Sequence, residues 1–151
     1  MRIVCHRGAN YMAPENTLEA ARLCFEPGYD FVELDLRTSS DGKLVVLHDK
    51  TVDRTTNGSG AVAELAWGDL HKLDAGSWFD AKYSDQRIPL LSEMLSLARK
   101  EGGGLYIELK AVDPKAMLDE VVAANMMEQC FVGSENPQAM RKVRALAPEA
   151  I

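Results

Sequence analysis

Two carboxylates spaced i, i+2 in an apolar, β-branched run, Phe31-Val32-Glu33-Leu34-Asp35-Leu36, form the chemical centre of this sequence. On a strand that spacing puts Glu33 and Asp35 on one face. A second run, Lys43-Leu44-Val45-Val46-Leu47-His48, returns after only six residues. That gap is too short for a parallel crossover and predicts an antiparallel arm. Asp41-Gly42 signals a two-residue hairpin turn. Ser40 then pairs with Lys43, and Asp35 stands directly opposite His48. Two carboxylates and an imidazole on one strand face are expensive to bury without a counter-charge. A bound divalent cation is the economical reading; a solvated hairpin face is the plain one.

Groups of the same kind fall at the ends of other apolar runs. Arg2 to Cys5 predicts a short strand that delivers His6-Arg7-Gly8, with Gly8 permitting a turn. Leu105 to Lys110 predicts a strand with Glu108 and Lys110 on one face, for which a strand-end ion pair is the lesser, plain alternative. Asn16 is as well placed to cap a helix as to act as a ligand. Glu15 is open between a substrate contact and a loop carboxylate paired with Arg7. His71 has no chemical company and is assigned to the surface. Trp78 and Phe79 are assigned to a local core rather than to substrate.

The elements that must position these groups follow from the chain in order. Asn16 and Glu19 fit an N-cap and capping box for a helix carrying Leu18, Ala21, Leu23 and Phe25, stopped by Pro27-Gly28. After the hairpin, residues 49–89 lose both helical and strand periodicity and hold the turn-rich Thr55-Thr56-Asn57-Gly58-Ser59-Gly60. Only a short helix around Leu65, Leu70 and Leu73 is predicted there. The segment is too apolar to be disordered and reads as an insertion folded over one end of a single domain, 1–151. Leu91, Met94, Leu95 and Ala98 predict a helix ended by Gly102-Gly103-Gly104. Asp113-Pro114 opens a helix expected to bury Met117, Leu118, Val121 and Val122. Cys130 to Gly133 predicts a strand, and Asn136-Pro137 opens a last helix through Met140, Val143 and Leu146, ended by Pro148.

Strands alternating with helices predict an α/β fold with parallel strands and right-handed crossovers. The polar chemistry then collects at or near C-terminal strand ends, where a TIM barrel keeps its active site. Only about four such units fit, whereas a complete barrel has eight strands in typically ~250 residues. The expectation is an incomplete barrel, its first half, with the hairpin and a small insertion after the second strand.

At 151 residues and 46% hydrophobic, the chain can bury one sizeable core. A net charge of −6 without any Lys/Arg cluster argues against a nucleic-acid surface. The apolar runs are too short to span a membrane, and Met1 to Cys5 leads straight into His6-Arg7, which leaves no room for a signal peptide. Cys5, Cys24 and Cys130 lack a metal-type spacing and read as buried thiols in a reducing compartment. The expected location is therefore cytoplasmic, with no membrane anchor.

His6-Arg7-Gly8, Pro14-Glu15-Asn16-Thr17, Glu33-Leu34-Asp35, His48-Asp49, Asp53-Arg54-Thr55-Thr56 and Ile107-Glu108-Leu109-Lys110 occur in an order that resembles glycerophosphodiester phosphodiesterases. Asp74-Ala75-Gly76-Ser77-Trp78-Phe79 and Ile88-Pro89-Leu90-Leu91 are similar to further stretches of bacterial members. The resemblance runs along essentially the whole chain. It implies a TIM barrel with a small insertion after the hairpin, and a Mg²⁺ or Ca²⁺ ion held by Glu33, Asp35 and Glu108. It implies that His6 and His48 are the general acid and base, and that Arg7 and Lys110 contact the phosphate. The family barrel continues well past the position of Ile151.

The implied reaction is hydrolysis of a glycerophosphodiester to sn-glycerol 3-phosphate and an alcohol. A lysophospholipase D or phospholipase-like activity is the second reading, although the loops are too polar to argue for an acyl-chain entrance. A half-barrel that keeps the metal site but does not turn over is the third. An incomplete barrel exposes strand edges and an inner face, so self-association of the chain is also expected.

Overall fold

In the computed structural model, which describes residues 1–148, a single strand organises the sheet. Phe31–Thr38 (β2) has neighbours along both edges. Val4–Cys5 (β1) runs parallel beside its start, and Leu44–Val46 (β3) returns antiparallel beside its end. Gly104–Ala111 (β4) lies parallel along the other edge, and Cys130–Gly133 (β5) runs parallel outside β4. The order is β1-β2-β4-β5, which leaves β1 and β5 as the outer strands. Leu18–Phe25 (α1), Trp67–Leu70 (α2), Leu91–Glu101 (α3), Pro114–Ala123 (α4) and Pro137–Leu146 (α5) complete an α/β partial barrel. Among the described residues, no helix is long and apolar enough to cross a membrane.

Alternation along β2 divides its side chains between two environments. Val32, Leu34 and Leu36 join Leu105, Ile107 and Leu109 of β4 in a core covered by α1, α3 and α4. Glu33, Asp35 and Arg37 face the other way. Leu34 and Ile107 are fully buried, so truncating either to alanine would cost about 2–5 kcal/mol. The segment between β3 and α3 has a smaller core of its own, built from Val45, Leu47, Val52, Val62, Leu70, Ala75 and Ile88.

Several local expectations are corrected. The hairpin pairs Leu36 with Val46 and Thr38 with Leu44, so Asp35 comes level with Leu47, whose N–H donates to the Asp35 carbonyl. His48 lies beyond β3 and does not face Asp35. The cause is a three-residue loop, Ser40-Asp41-Gly42, in place of a two-residue turn. Gly42 takes φ 80°, and Ser39 donates its hydroxyl to Asp41 and accepts from the Lys43 N–H. Thr17, not Asn16, caps α1, its hydroxyl accepting from the Ala20 N–H. Cys5 and Cys24 form a disulfide across 19 residues, with Cα atoms 6.5 Å apart, and only Cys130 is a free buried thiol. That pairing corrects the reading of three thiols and removes the cysteine argument for a reducing compartment. Val122 points out of the core and is exposed, being one residue past the buried stripe of α4. Trp78 is also exposed, its indole N–H bonded to the Ala75 carbonyl and its ring edge-on to Phe79.

Candidate active site

Glu33, Asp35 and Glu108 meet because β2 and β4 are in parallel register, with Asp35 beside Glu108. One donor oxygen from each lies within 4.8 Å of the others. Asp35 is almost wholly buried, and Asn16 donates its side-chain amide to Asp35 Oδ2 at 2.9 Å. Glu33 Oε2 accepts the Arg7 backbone N–H at 2.7 Å, while Glu33 Oε1 is buried without a hydrogen-bond partner. Burial, followed by the charge of Asp35, pushes Glu33 up to about 7. An orphaned carboxylate oxygen beside two more carboxylates fits a hard cation with all-oxygen ligation. The cluster could hold such an ion.

Cations crowd the same spot. Lys110 Nζ lies 2.6 Å from Glu108 Oε1 and 3.4 Å from Asp35 Oδ1. Burial works against its charge, but the two carboxylates outweigh this and raise its pKa. Lys110 follows Glu108 by two residues on β4 and shares its face, beside an irregularity in the sheet. Leu36 pairs with Leu109 but Arg37 pairs with Ala111, so Lys110 is the extra residue of a bulge. Arg7 Nε lies 3.3 Å from Asp35 Oδ2, and Arg7 Nη1 donates to Glu15 at 3.0 Å. Arg7 itself takes φ 56° and is followed by Gly8 at φ 79°. A non-glycine residue in that region carries about 1–3 kcal/mol of strain, held here by the surrounding bonds. This left-handed turn directs His6 outward, with its imidazole 65% exposed and Nε2 4.0 Å from Glu33 Oε2.

His48 reaches the cluster by a different route. Its Nδ1 sits 2.7 Å from Asp49 Oδ1, which fixes the ring and leaves Nε2 as the outward atom. Arg37 donates Nε and Nη2 to the His48 carbonyl, at 2.9 and 2.5 Å. Burial lowers the Arg37 pKa. Among the described residues, no hydrogen bond or ion pair joins His48 to Glu33, Asp35 or Glu108. Arg54 supplies the connection, bonding to both oxygens of Asp49 and to both oxygens of Glu15. Its hydrogen bond holds Asp49 well below the usual carboxylate range. Burial pushes Glu15 up, but Arg54 and Arg7 outweigh it and leave Glu15 low. Glu15 is thus a shared counter-ion between two arginines.

A model of the glycerophosphoryl diester phosphodiesterase family matches residues 6–149. The chain belongs to that family. It is 37% identical to the glycerophosphodiester phosphodiesterase of Caldanaerobacter subterraneus subsp. tengcongensis, over 97% of this chain and 63% of that protein. The crystal structure of a glycerophosphodiester phosphodiesterase from Agrobacterium tumefaciens is similar at a TM-score of 0.94 and 42% identity, over 99% of this chain and 64% of that one. An Oleispira antarctica phosphodiesterase, solved in complex with the product sn-glycerol-3-phosphate, is similar at a TM-score of 0.86 and 34% identity, over 99% and 64%. The chain spans less than two thirds of the length of these relatives.

Within the family's motifs, the geometry divides the residues singled out from sequence into two groups. Glu33, Asp35, Glu108, Lys110, Arg7 and His6 converge directly, whereas His48 stands at the far end of a hydrogen-bonded string. Asn16, Arg37, Asp49 and Arg54 hold the site without having been assigned to it. Arg37 had a readable signal, since it continues the i, i+2 series of Glu33 and Asp35. Arg54 had one too, lying inside a family motif. A cavity of about 650 Å³ lies between α1 and α3, lined by residues such as Leu18, Arg22 and Lys100. Glu33, Asp35 and Glu108 are not among its lining residues.

Proposed function

We propose that this chain carries the catalytic centre of a metal-dependent glycerophosphodiester phosphodiesterase, releasing sn-glycerol 3-phosphate and an alcohol. The observation that carries the reading is the carboxylate cluster with Arg7 and Lys110 packed against it and His6 at its rim, in a chain of this family. The product bound to the Oleispira antarctica relative supports the same substrate class. Glu33, Asp35 and Glu108 are the residues that would hold Mg²⁺ or Ca²⁺. When bound, the ion supplies Lewis-acid polarisation of a phosphoryl oxygen and eases ionisation of a nearby hydroxyl.

The chain's own groups do the rest. Arg7 offers a planar donor fork to phosphate oxygens, and Lys110 a movable point charge. His6, exposed at the rim, and His48, oriented through Asp49, exchange protons with the attacking and departing oxygens. Attack by water gives sn-glycerol 3-phosphate directly, whereas attack by the glycerol 2-hydroxyl expels the alcohol and leaves a cyclic phosphate that water must then open. The test is hydrolysis of glycerophosphocholine with and without chelator. Turnover should vanish in chelator, and His6→Ala and His48→Ala should each lower it by roughly 10²–10⁴-fold while leaving metal binding intact. A folded chain that binds metal yet hydrolyses no glycerophosphodiester would instead be a half-barrel that keeps the site without the reaction.

A further inference from the structure

Asp53-Arg54-Thr55-Thr56 has no part in the proton and phosphate chemistry, yet it is built as firmly as the residues that do. Asp53 accepts the Gly60 N–H, the Thr56 hydroxyl donates to the Val52 carbonyl, and Thr55 and Thr56 are buried. From this fixed loop Arg54 makes two forks. Its Nε and Nη2 donate to Asp49 Oδ2 and Oδ1 at 2.7 and 3.0 Å. Its Nη1 and Nη2 donate to Glu15 Oε2 and Oε1 at 3.0 and 2.8 Å. Arg7 Nη1 meets the same Glu15 oxygen at 3.0 Å, and His48 Nδ1 meets Asp49 Oδ1 at 2.7 Å.

We propose that Arg54 is a positioning residue that sets the His48 ring and the Arg7 guanidinium in register with each other. This rests on the functional reading above, in which those two groups serve one phosphodiester. The string runs Arg7, Glu15, Arg54, Asp49, His48, and its central member is planar and grips both oxygens of two carboxylates at fixed angles. Four of the roughly five N–H donors of an arginine are engaged, a pattern that a lysine ammonium does not reproduce. Arg37 already fixes the His48 backbone, so the freedom that remains to His48 is that of the ring, which Asp49 governs. The Arg54 side chain is 44% exposed, and ion pairs that exposed add little to folding stability. Its value is therefore angular. A displacement of about 1 Å in a reacting group can lower turnover by roughly 10²-fold.

The experiment compares the whole chain with Arg54→Lys and Arg54→Gln in three measurements: glycerophosphocholine hydrolysis, Mn²⁺ binding, and amide hydrogen exchange without substrate. Both variants should lose about 10–100-fold in kcat, with KM near its original value because no substrate contact is removed. Mn²⁺ affinity and melting temperature should barely move. Exchange should quicken together in residues 9–16 and 48–54. Methylguanidinium added to Arg54→Ala should restore part of kcat. The proposal is overturned if Arg54→Lys keeps the original kcat, or if exchange quickens in only one of the two segments. An unmodified chain that hydrolyses nothing would count against the functional reading, while the exchange measurement would still decide whether Arg54 couples the two loops.

Discussion

Asn16 holds a left-handed backbone at φ 59° and donates its amide to Asp35, so a strained loop residue steadies the most buried carboxylate of the site. Groups that orient metal ligands typically contribute about 10–100-fold to metal affinity. Asn16→Gly keeps the backbone conformation and removes only the amide. It should weaken Mn²⁺ binding by about 10–100-fold in titration calorimetry. Asn16→Ala should show the same loss and in addition be less stable than the glycine variant by about 1 kcal/mol, the penalty of a Cβ in that region. Unchanged affinity in both would detach Asn16 from the site.

Glu33 gives the metal-free chain a distinctive pH dependence. Its folded pKa, about 7, lies above the ordinary 4.5. Between those values the folded chain retains a proton that the unfolded chain has released. Stability in chelator should therefore fall as pH rises from about 4.5 to about 7, by on the order of 3 kcal/mol. Glu15 and Asp49 are depressed instead, so their contribution is lost only on acidification below their ordinary range, outside this window. Urea melts across pH 4–8 measure the slope, and Glu33→Gln should flatten it. Metal added at pH 6 should release close to one proton, since only the ionised carboxylate coordinates. A slope that survives in Glu33→Gln would assign the effect to another group.

What could be read from sequence depended on whether the signal was local. The shared face of Glu33 and Asp35 is legible in the sequence because a period of two needs no knowledge of register. The pairing of Asp35 with His48 failed because Asp41-Gly42 suits both a two-residue turn and the longer Ser40-Asp41-Gly42 loop, and one residue of slip changes the facing partner. Asn16 carries a cap signal because the residue that caps, Thr17, is its neighbour. The Arg54–Glu15 fork spans 39 residues of chain, and the Cys5–Cys24 bridge 19; neither separation leaves a local mark.

Gly8 is where the His6-Arg7 turn passes closest to α1. A Cβ there would lie 2.7 Å from the Ala20 backbone carbon, at a φ of 79° that already disfavours a side chain. Gly28 has a similar φ of 85° but nothing within 4 Å. Gly28→Ala should lose only the backbone term, about 1 kcal/mol, and Gly8→Ala at least about 2 kcal/mol more, since helix backbone cannot yield as a side-chain tip can. Denaturant unfolding compares them. Equal losses would mean that the turn relaxes away from α1, and Gly8 would then matter only for its φ.

The outer strands lead to the last expectation. β1 and β5 each pair on one side only, and Val4, on the inner face of β1, is 50% exposed with Ile3 beside it at 39%. Unpaired strand edges template association with another chain, and a charge on the edge is the usual deterrent. The 151-residue chain should therefore self-associate, most simply about a two-fold axis. Sedimentation velocity over a wide concentration range should show a dimer or larger species giving way to monomer only on strong dilution. Val4→Lys should shift that balance toward monomer while leaving the melting temperature of the monomer near its original value, because Val4 contributes little to the core. A compact monomer at every concentration would mean that the β1 edge is protected in solution, and self-association through it would be abandoned.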